Sequence, residues 1–208
     1  AACTVCSPTR AAIMTGKYPA RISLTDWMSG HKRPYAKLQV PDWQMYLDTT
    51  ERTVAELLRE RGYAKANVGK WHLGDDPVYW PPNQGFDVNI GGYRYGAPGS
   101  YFYPYHGNRR DRKHPPNLSA GDPGEYLTYR LTVEAEQFIR ANRDRPFFLY
   151  LPHYAVHTPL QAPDSLVAHY RDKMTPGVLH DNPVYAAMVH CVDQGVGAIL
   201  DLLEREGL

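Results

Sequence analysis

Apolar residues recur at helical spacing in three stretches of the chain. Val54, Leu57 and Leu58 form the buried stripe of a helix expected over Thr53 to Arg61, with a Thr53/Glu56 capping box at its start and Gly62 at its end. Leu131, Ala135, Phe138 and Ile139 share one face of a helix over Thr128 to Asn142. Val184, Met188, Cys191, Val192, Ile199 and Leu202 face inward from a longer helix, capped by Asn182-Pro183 and running to about Glu206. A short helix follows Ser7-Pro8 through Thr9 to Thr15, where Pro8 suits the first turn and Gly16 the stop. Phe147 to Leu151 is a continuous apolar run, as in a strand covered on both faces. Tyr63 to Val68 carries a weaker strand signal directly after a helix. Helix and strand alternating at these spacings predict an α/β architecture with a mostly parallel sheet.

Between these elements, Asp75 to Gly124 is rich in Gly, Pro and Tyr and has little periodicity. Its many aromatics argue for an ordered functional loop region. No repeat and no domain linker is evident. At 208 residues the length fits one large domain or two small ones. The apolar fraction of 43% can supply a core, and 17 Gly and 18 Pro make the chain turn-rich. A net charge of +1 gives no global field to attract nucleic acid. No run approaches 18 apolar residues, so no membrane span is expected. The chain opens on Ala1 with no signal-like segment. Three cysteines, Cys3, Cys6 and Cys191, argue against a disulfide framework, and the single C-x-x-C lacks the second pair a zinc ribbon needs.

Cys6-Ser7-Pro8-Thr9-Arg10 stands at a predicted helix N-terminus. Free N–H groups and the helix dipole favour an anion there, and Arg10, one turn in, adds a planar donor fork suited to a tetrahedral oxyanion. A nucleophile at Cys6 beside Arg10 makes a sulfate or phosphate site. Read alone, Cys6 could be only a buried structural thiol, a reading that Pro8 and Arg10 in register disfavour, and Lys70 and His72 a surface lysine and a packed histidine.

Cys6 to Arg10, continued through Ala11-Ala12-Ile13-Met14-Thr15-Gly16, resembles the C-x-P-x-R signature of type I, formylglycine-dependent sulfatases of the alkaline-phosphatase-like superfamily. Gly69-Lys70-Trp71-His72-Leu73-Gly74 resembles the family's G-K-W-H-L-G, and His153-Tyr154-Ala155-Val156-His157-Thr158-Pro159 its segment with His before x-Pro. Tyr18-Pro19-Ala20-Arg21 and Gly85-Phe86-Asp87 support the same alignment, which covers essentially the whole chain.

The resemblance implies an alkaline-phosphatase-like α/β fold and hydrolysis of a sulfate ester, here of a sulfated carbohydrate. It makes Cys6 the precursor of a formylglycine and, as the hydrate, a ligand of calcium or another divalent metal. Arg10 would stabilise the diol, Lys70 contact the sulfate oxygens, His72 assist collapse of the hydrate, and His157 donate to the leaving alcohol. His153 is the rival to His157 and a pocket residue. A formylglycine-generating or anaerobic maturation enzyme is the implied partner, and a periplasmic, secreted or lysosomal location the implied setting. A phosphonate or phosphodiester hydrolase of the same superfamily is the alternative activity, and an inactive binding module that keeps the fold the alternative without turnover.

Several features stay open or depart from the family. The run Arg109-Arg110-Asp111-Arg112-Lys113-His114 reads as a solvated loop or as a grip for a polyanion. Tyr93 to Tyr105 could stack sugar rings or pack on itself. Asp26 could reach the pocket rim. Neither of the family's acidic metal-binding pairs maps here, and Asp75-Asp76 is not the first of them. Residues 1–208 are therefore expected to be a partial catalytic domain, incomplete at both ends, with little metal affinity or activity in isolation.

Overall fold

The computed structural model describes residues 3–31, 34–35, 37–108, 114–175, 177 and 179–208. The elements run α1 (Cys6–Thr15), α2 (Val54–Arg59), β1 (Ala64–Val68), β2 (Val88–Ile90), α3 (Leu127–Ala141), β3 (Phe147–Tyr150), α4 (Asp164–Lys173) and α5 (Pro183–Arg205). The three strands form a parallel sheet in the order β2-β1-β3. One face packs Ala64, Ala66 and Val68 against Leu131, Ala135 and Phe138 of α3, with Met188 and Cys191 of α5 behind. The other face meets a second core of Ala11, Met14, Ala55, Trp71, Leu73 and Phe86, from α1, α2 and the loops. This is the predicted α/β arrangement, helices on both faces of a parallel sheet.

The strands reverse the expected ranking. β1, the weaker signal, is central and wholly buried. Its apolar run is interrupted because Lys65 and Asn67 alternate with its small apolar residues. Lys65 Nζ donates to Tyr63 O at 2.7 Å and to Asp87 at 2.8 Å, and Asn67 Nδ2 donates to Asn89 Oδ1 at 3.0 Å. β3 does send Phe147 and Leu149 to one core and Phe148 and Tyr150 to the other, but it lies at the end of the strand order and is only half-buried.

α2, α4 and β2 differ from what the sequence pattern predicts. α2 stops at Arg59, and its buried residue is Ala55, while Leu57 is 46% exposed. α4 has no counterpart in that pattern, because its one buried residue, Val167, makes no apolar stripe. β2, three residues long, lies inside the stretch read as loop. α5, at 23 residues, is long and apolar enough by length and composition to cross a membrane. Here it packs against α3 and α4, with Ala187, Met188, Cys191 and Leu202 buried.

Among the described residues of the Asp75–Gly124 region, Tyr93, Tyr101 and Tyr105 are buried in the first core. They therefore pack on the protein rather than offer faces to a sugar. Of the basic run, residues 109–113 lie outside the described residues.

The capping box forms as expected. Thr53 Oγ1 accepts from Glu56 N at 3.2 Å and donates to Gln84 O at 2.7 Å, and Glu56 accepts from Thr53 N at 2.9 Å. Thr53→Ala should lower stability by about 1–2 kcal/mol while Thr53→Ser keeps most of it, read as the shift in urea midpoint.

Candidate active site

The carboxyl ends of the three parallel strands converge, the usual place for a site in an open α/β sheet. Gly69, directly after β1, donates its N–H to Ile90 O at 2.8 Å, and Lys70 donates its own to Pro152 O at 2.8 Å. Gly69 has φ 126°, and a Cβ there would stand 2.3 Å from Pro152 O, so no other residue fits. This turn delivers Lys70 and His72 to the N-terminus of α1.

Cys6 is the first residue of that ten-residue helix, and its N-cap, Val5, offers no side-chain cap. The first N–H groups of α1 are thus not consumed by a capping side chain. Arg10 Nη1 donates to Lys70 O at 2.9 Å and to Tyr150 Oη at 3.4 Å, while its buried Nε has no protein partner among the described residues. Lys70 is buried at 3% exposure, with Cys6 and Arg10 near enough to act on its charge. Burial and the Arg10 charge push its amine down to about 8, against an opposing pull from Cys6.

His72 takes φ 59°, and its Nε2 donates to Met28 O at 2.7 Å, which leaves its buried Nδ1 as a lone pair without a protein partner among the described residues. Burial, then the charge of Lys70, push its pKa down to about 3, so the imidazole is neutral near pH 7. Gly96 lies against this ring: a Cβ there would sit 2.5 Å from Nδ1.

Two cavities meet at Cys6. One, of about 670 Å³, is lined by Cys6, Trp27, His31, His72, Arg94 and His157, among others. The exposed His157 has its Nδ1 3.1 Å from Thr158 O. The other, of about 600 Å³, is lined by Cys3, Cys6, Arg10, Tyr150 and His153, among others. Burial pushes His153 down to about 4, and neither ring nitrogen has a protein partner among the described residues.

The structure thus sets Cys6 between two groups: His72 and His157 line the first cavity with it, and Arg10 and His153 the second. Lys70 lines neither cavity and lies close to both Cys6 and Arg10. Asp26 does not line the first cavity either; it holds His31, which does. Met28, Ser7 and Tyr150 were missed, because each acts through a contact with a distant residue that spacing does not encode. The expected calcium site does not fit the residues present. Among the described residues no three His, Cys, Asp or Glu side chains group to hold a metal, and the groups closest to Cys6 are cationic.

Comparison with known proteins points the same way. The pattern of the Sulfatase family matches residues 1–208. N-acetylgalactosamine-6-sulfatase of Rattus norvegicus is 31% identical over 221 residues, covering 98% of this chain and 38% of that protein. The uncharacterized sulfatase YdeN of Escherichia coli (strain K12) is 32% identical over 230 residues, covering 98% and 36%. The crystal structure of Ps i-CgsB in complex with k-i-k-neocarrahexaose matches at a TM-score of 0.75 and 30% identity, covering 99% of this chain and 46% of that one. The chain therefore spans less than half the length of these relatives.

The buried histidines make stability depend on acid. With native pKa values of about 3 for His72 and about 4 for His153, against 6.5 unfolded, the unfolded state binds more protons below pH 6.5. Their contribution is complete above pH 6.5 and falls as pH drops, by about 1.4 kcal/mol per pH unit for each histidine between roughly 6 and 4. Urea midpoints across that range should show this slope, and His153→Gln should remove about half of it.

Proposed function

Because the chain belongs to the sulfatase family, we propose that it hydrolyses sulfate esters, that Cys6 is converted to formylglycine, and that the substrate is a sulfated carbohydrate. The observation that carries this reading is the meeting of Cys6, Arg10 and Lys70 at a helix N-terminus that opens on a cavity. Formylglycine, as its hydrate, would supply two hydroxyls on one carbon, one to attack sulfur and one to expel sulfate afterwards.

The remaining work falls to side chains in place. Arg10, held by Lys70 O and Tyr150, keeps its guanidinium along the first turn of α1, where it steadies the oxygens on residue 6. Lys70, with a pKa of about 8, still carries a proton at neutral pH and offsets negative charge gathering on the sulfate oxygens. His72 has committed its Nε2 proton to Met28, so its Nδ1 accepts a hydrogen bond from a hydroxyl on residue 6 and guides that proton away. His157, on the open wall, protonates the leaving alcohol. His153, facing the second cavity with Arg10, is kept as a pocket residue. A sugar substrate is supported by the relative named for N-acetylgalactosamine 6-sulfate and by the neocarrahexaose-bound neighbour.

The test is production with a formylglycine-generating enzyme, followed by peptide mass spectrometry and an assay of sulfate release. Cys6 should be found as the aldehyde, and Cys6→Ala should lower sulfate release by about 10³-fold or more. An unmodified thiol in active protein, or a strong preference for a phosphodiester, would overturn the reading.

A further inference from the structure

Trp27, Met28, Ser29 and His31 form one wall of the cavity at Cys6. It is tied to the motifs on either side of it. Met28 N donates to Ser7 Oγ at 3.2 Å, next to Cys6, and Met28 O accepts from His72 Nε2 at 2.7 Å. The wall is thus indexed through one residue to both chemistry-bearing segments.

Within it, the Asp26 carboxylate closes the turn. Oδ1 accepts from Trp27 N at 2.8 Å, and Oδ2 accepts from His31 N at 3.0 Å and stands 2.7 Å from His31 Nδ1. Gly30 completes the turn at φ 85°, where a Cβ would come 2.8 Å from the Trp43 ring. With Nδ1 held by Asp26, His31 turns Nε2 to the Trp27 Nε1–H, 3.4 Å away.

That bond sets the orientation of the indole. An indole N–H lies in the ring plane, so its acceptor sits at the ring edge. The two rings are accordingly edge-on, at 89° with centroids 5.8 Å apart. His31 therefore occupies the edge of Trp27 rather than a face, and Trp27 lines the cavity half-buried. The other aromatic on the cavity wall, Tyr95, carries the Arg94 guanidinium 5.2 Å from its ring centre. Ser29 and Arg94, the latter paired with Asp75 at 2.8 Å, put polar groups around the same space.

A flat apolar face bordered by donors and acceptors matches a pyranose, whose C–H face is apolar and whose hydroxyls project from its rim. We propose that Trp27 is the platform on which the sugar ring bearing the sulfate ester rests, and that Asp26 and His31 are the positioning residues that set its angle. This deepens the reading of the site as a carbohydrate sulfatase and rests on it.

The test separates the two by measuring binding without turnover. In a Cys6→Ala background, N-acetylgalactosamine 6-sulfate and butyl sulfate are titrated by saturation-transfer NMR. Trp27→Ala should weaken the sugar sulfate about tenfold and remove saturation from its ring protons, with butyl sulfate unchanged. Trp27→Phe, which keeps an aromatic face, should retain most of the affinity. His31→Ala should lose sugar affinity with an unchanged melting temperature, and His31→Gln, which restores an acceptor for the indole N–H, should regain it. Equal weakening of both ligands in Trp27→Ala, or of neither, would overturn the proposal. Sulfate release by the Cys6 protein is scored separately: its loss beside intact, Trp27-dependent sugar binding would refute the sulfatase reading and leave the platform standing.

Discussion

A Cβ on Gly69 would lie 2.3 Å from the Pro152 carbonyl oxygen, and the geometry of the site depends on that atom being absent. Backbone bonds at Gly69 and Lys70 join the ends of all three strands, bringing the chain after β1 directly against the chain after β3. From that junction Trp71 enters the core between sheet and α1, Lys70 is buried close to Cys6, and His72 joins the wall of the cavity that Cys6 lines. The Lys70 carbonyl then receives Arg10, so the helix carrying Cys6 is fastened to the same point. A side chain at Gly69 would separate the strands and dissolve every one of these placements together.

The arrangement carries an electrostatic cost. Arg10 and Lys70 are like charges in a partly dry environment, and the lowered pKa of Lys70 records both its burial and its neighbour. His72 and His153 are held neutral by burial and have ring nitrogens without protein partners among the described residues. Unpaired polar groups and adjacent cations are unfavourable until an anion or a hydroxyl arrives to meet them. Local stability is thereby exchanged for an environment arranged in advance around a tetrahedral anion.

Much of the fold was legible in the residues, for identifiable reasons. α3 and α5 bury continuous stripes, so their period shows in the sequence, and the Thr53/Glu56 box marks the start of α2 through purely local bonds. β1 was faint because a buried central strand that pairs Lys65 with Asp87 and Asn67 with Asn89 lacks the continuous apolar run expected of one. Leu57 was misassigned because the short α2 meets the core through Ala55, a choice made by its neighbours rather than by its own stripe. At the site, Cys6, Arg10, Lys70 and His72 were found through short motifs, whereas Trp27 and His31 belong to no motif and drew no notice.

The division follows from the range of the forces involved. Caps, turn glycines, helical stripes and motif chemistry are interactions among residues a few positions apart, and they can be read along the chain. Which strand is central, that Met28 links Ser7 to His72, and that His31 turns the edge of Trp27 toward itself depend on how whole elements pack. Hydrogen bonds between residues 21 or 44 positions apart exist only once two cores have closed on the two faces of the sheet. Their geometry is therefore a property of tertiary structure and not of any local pattern.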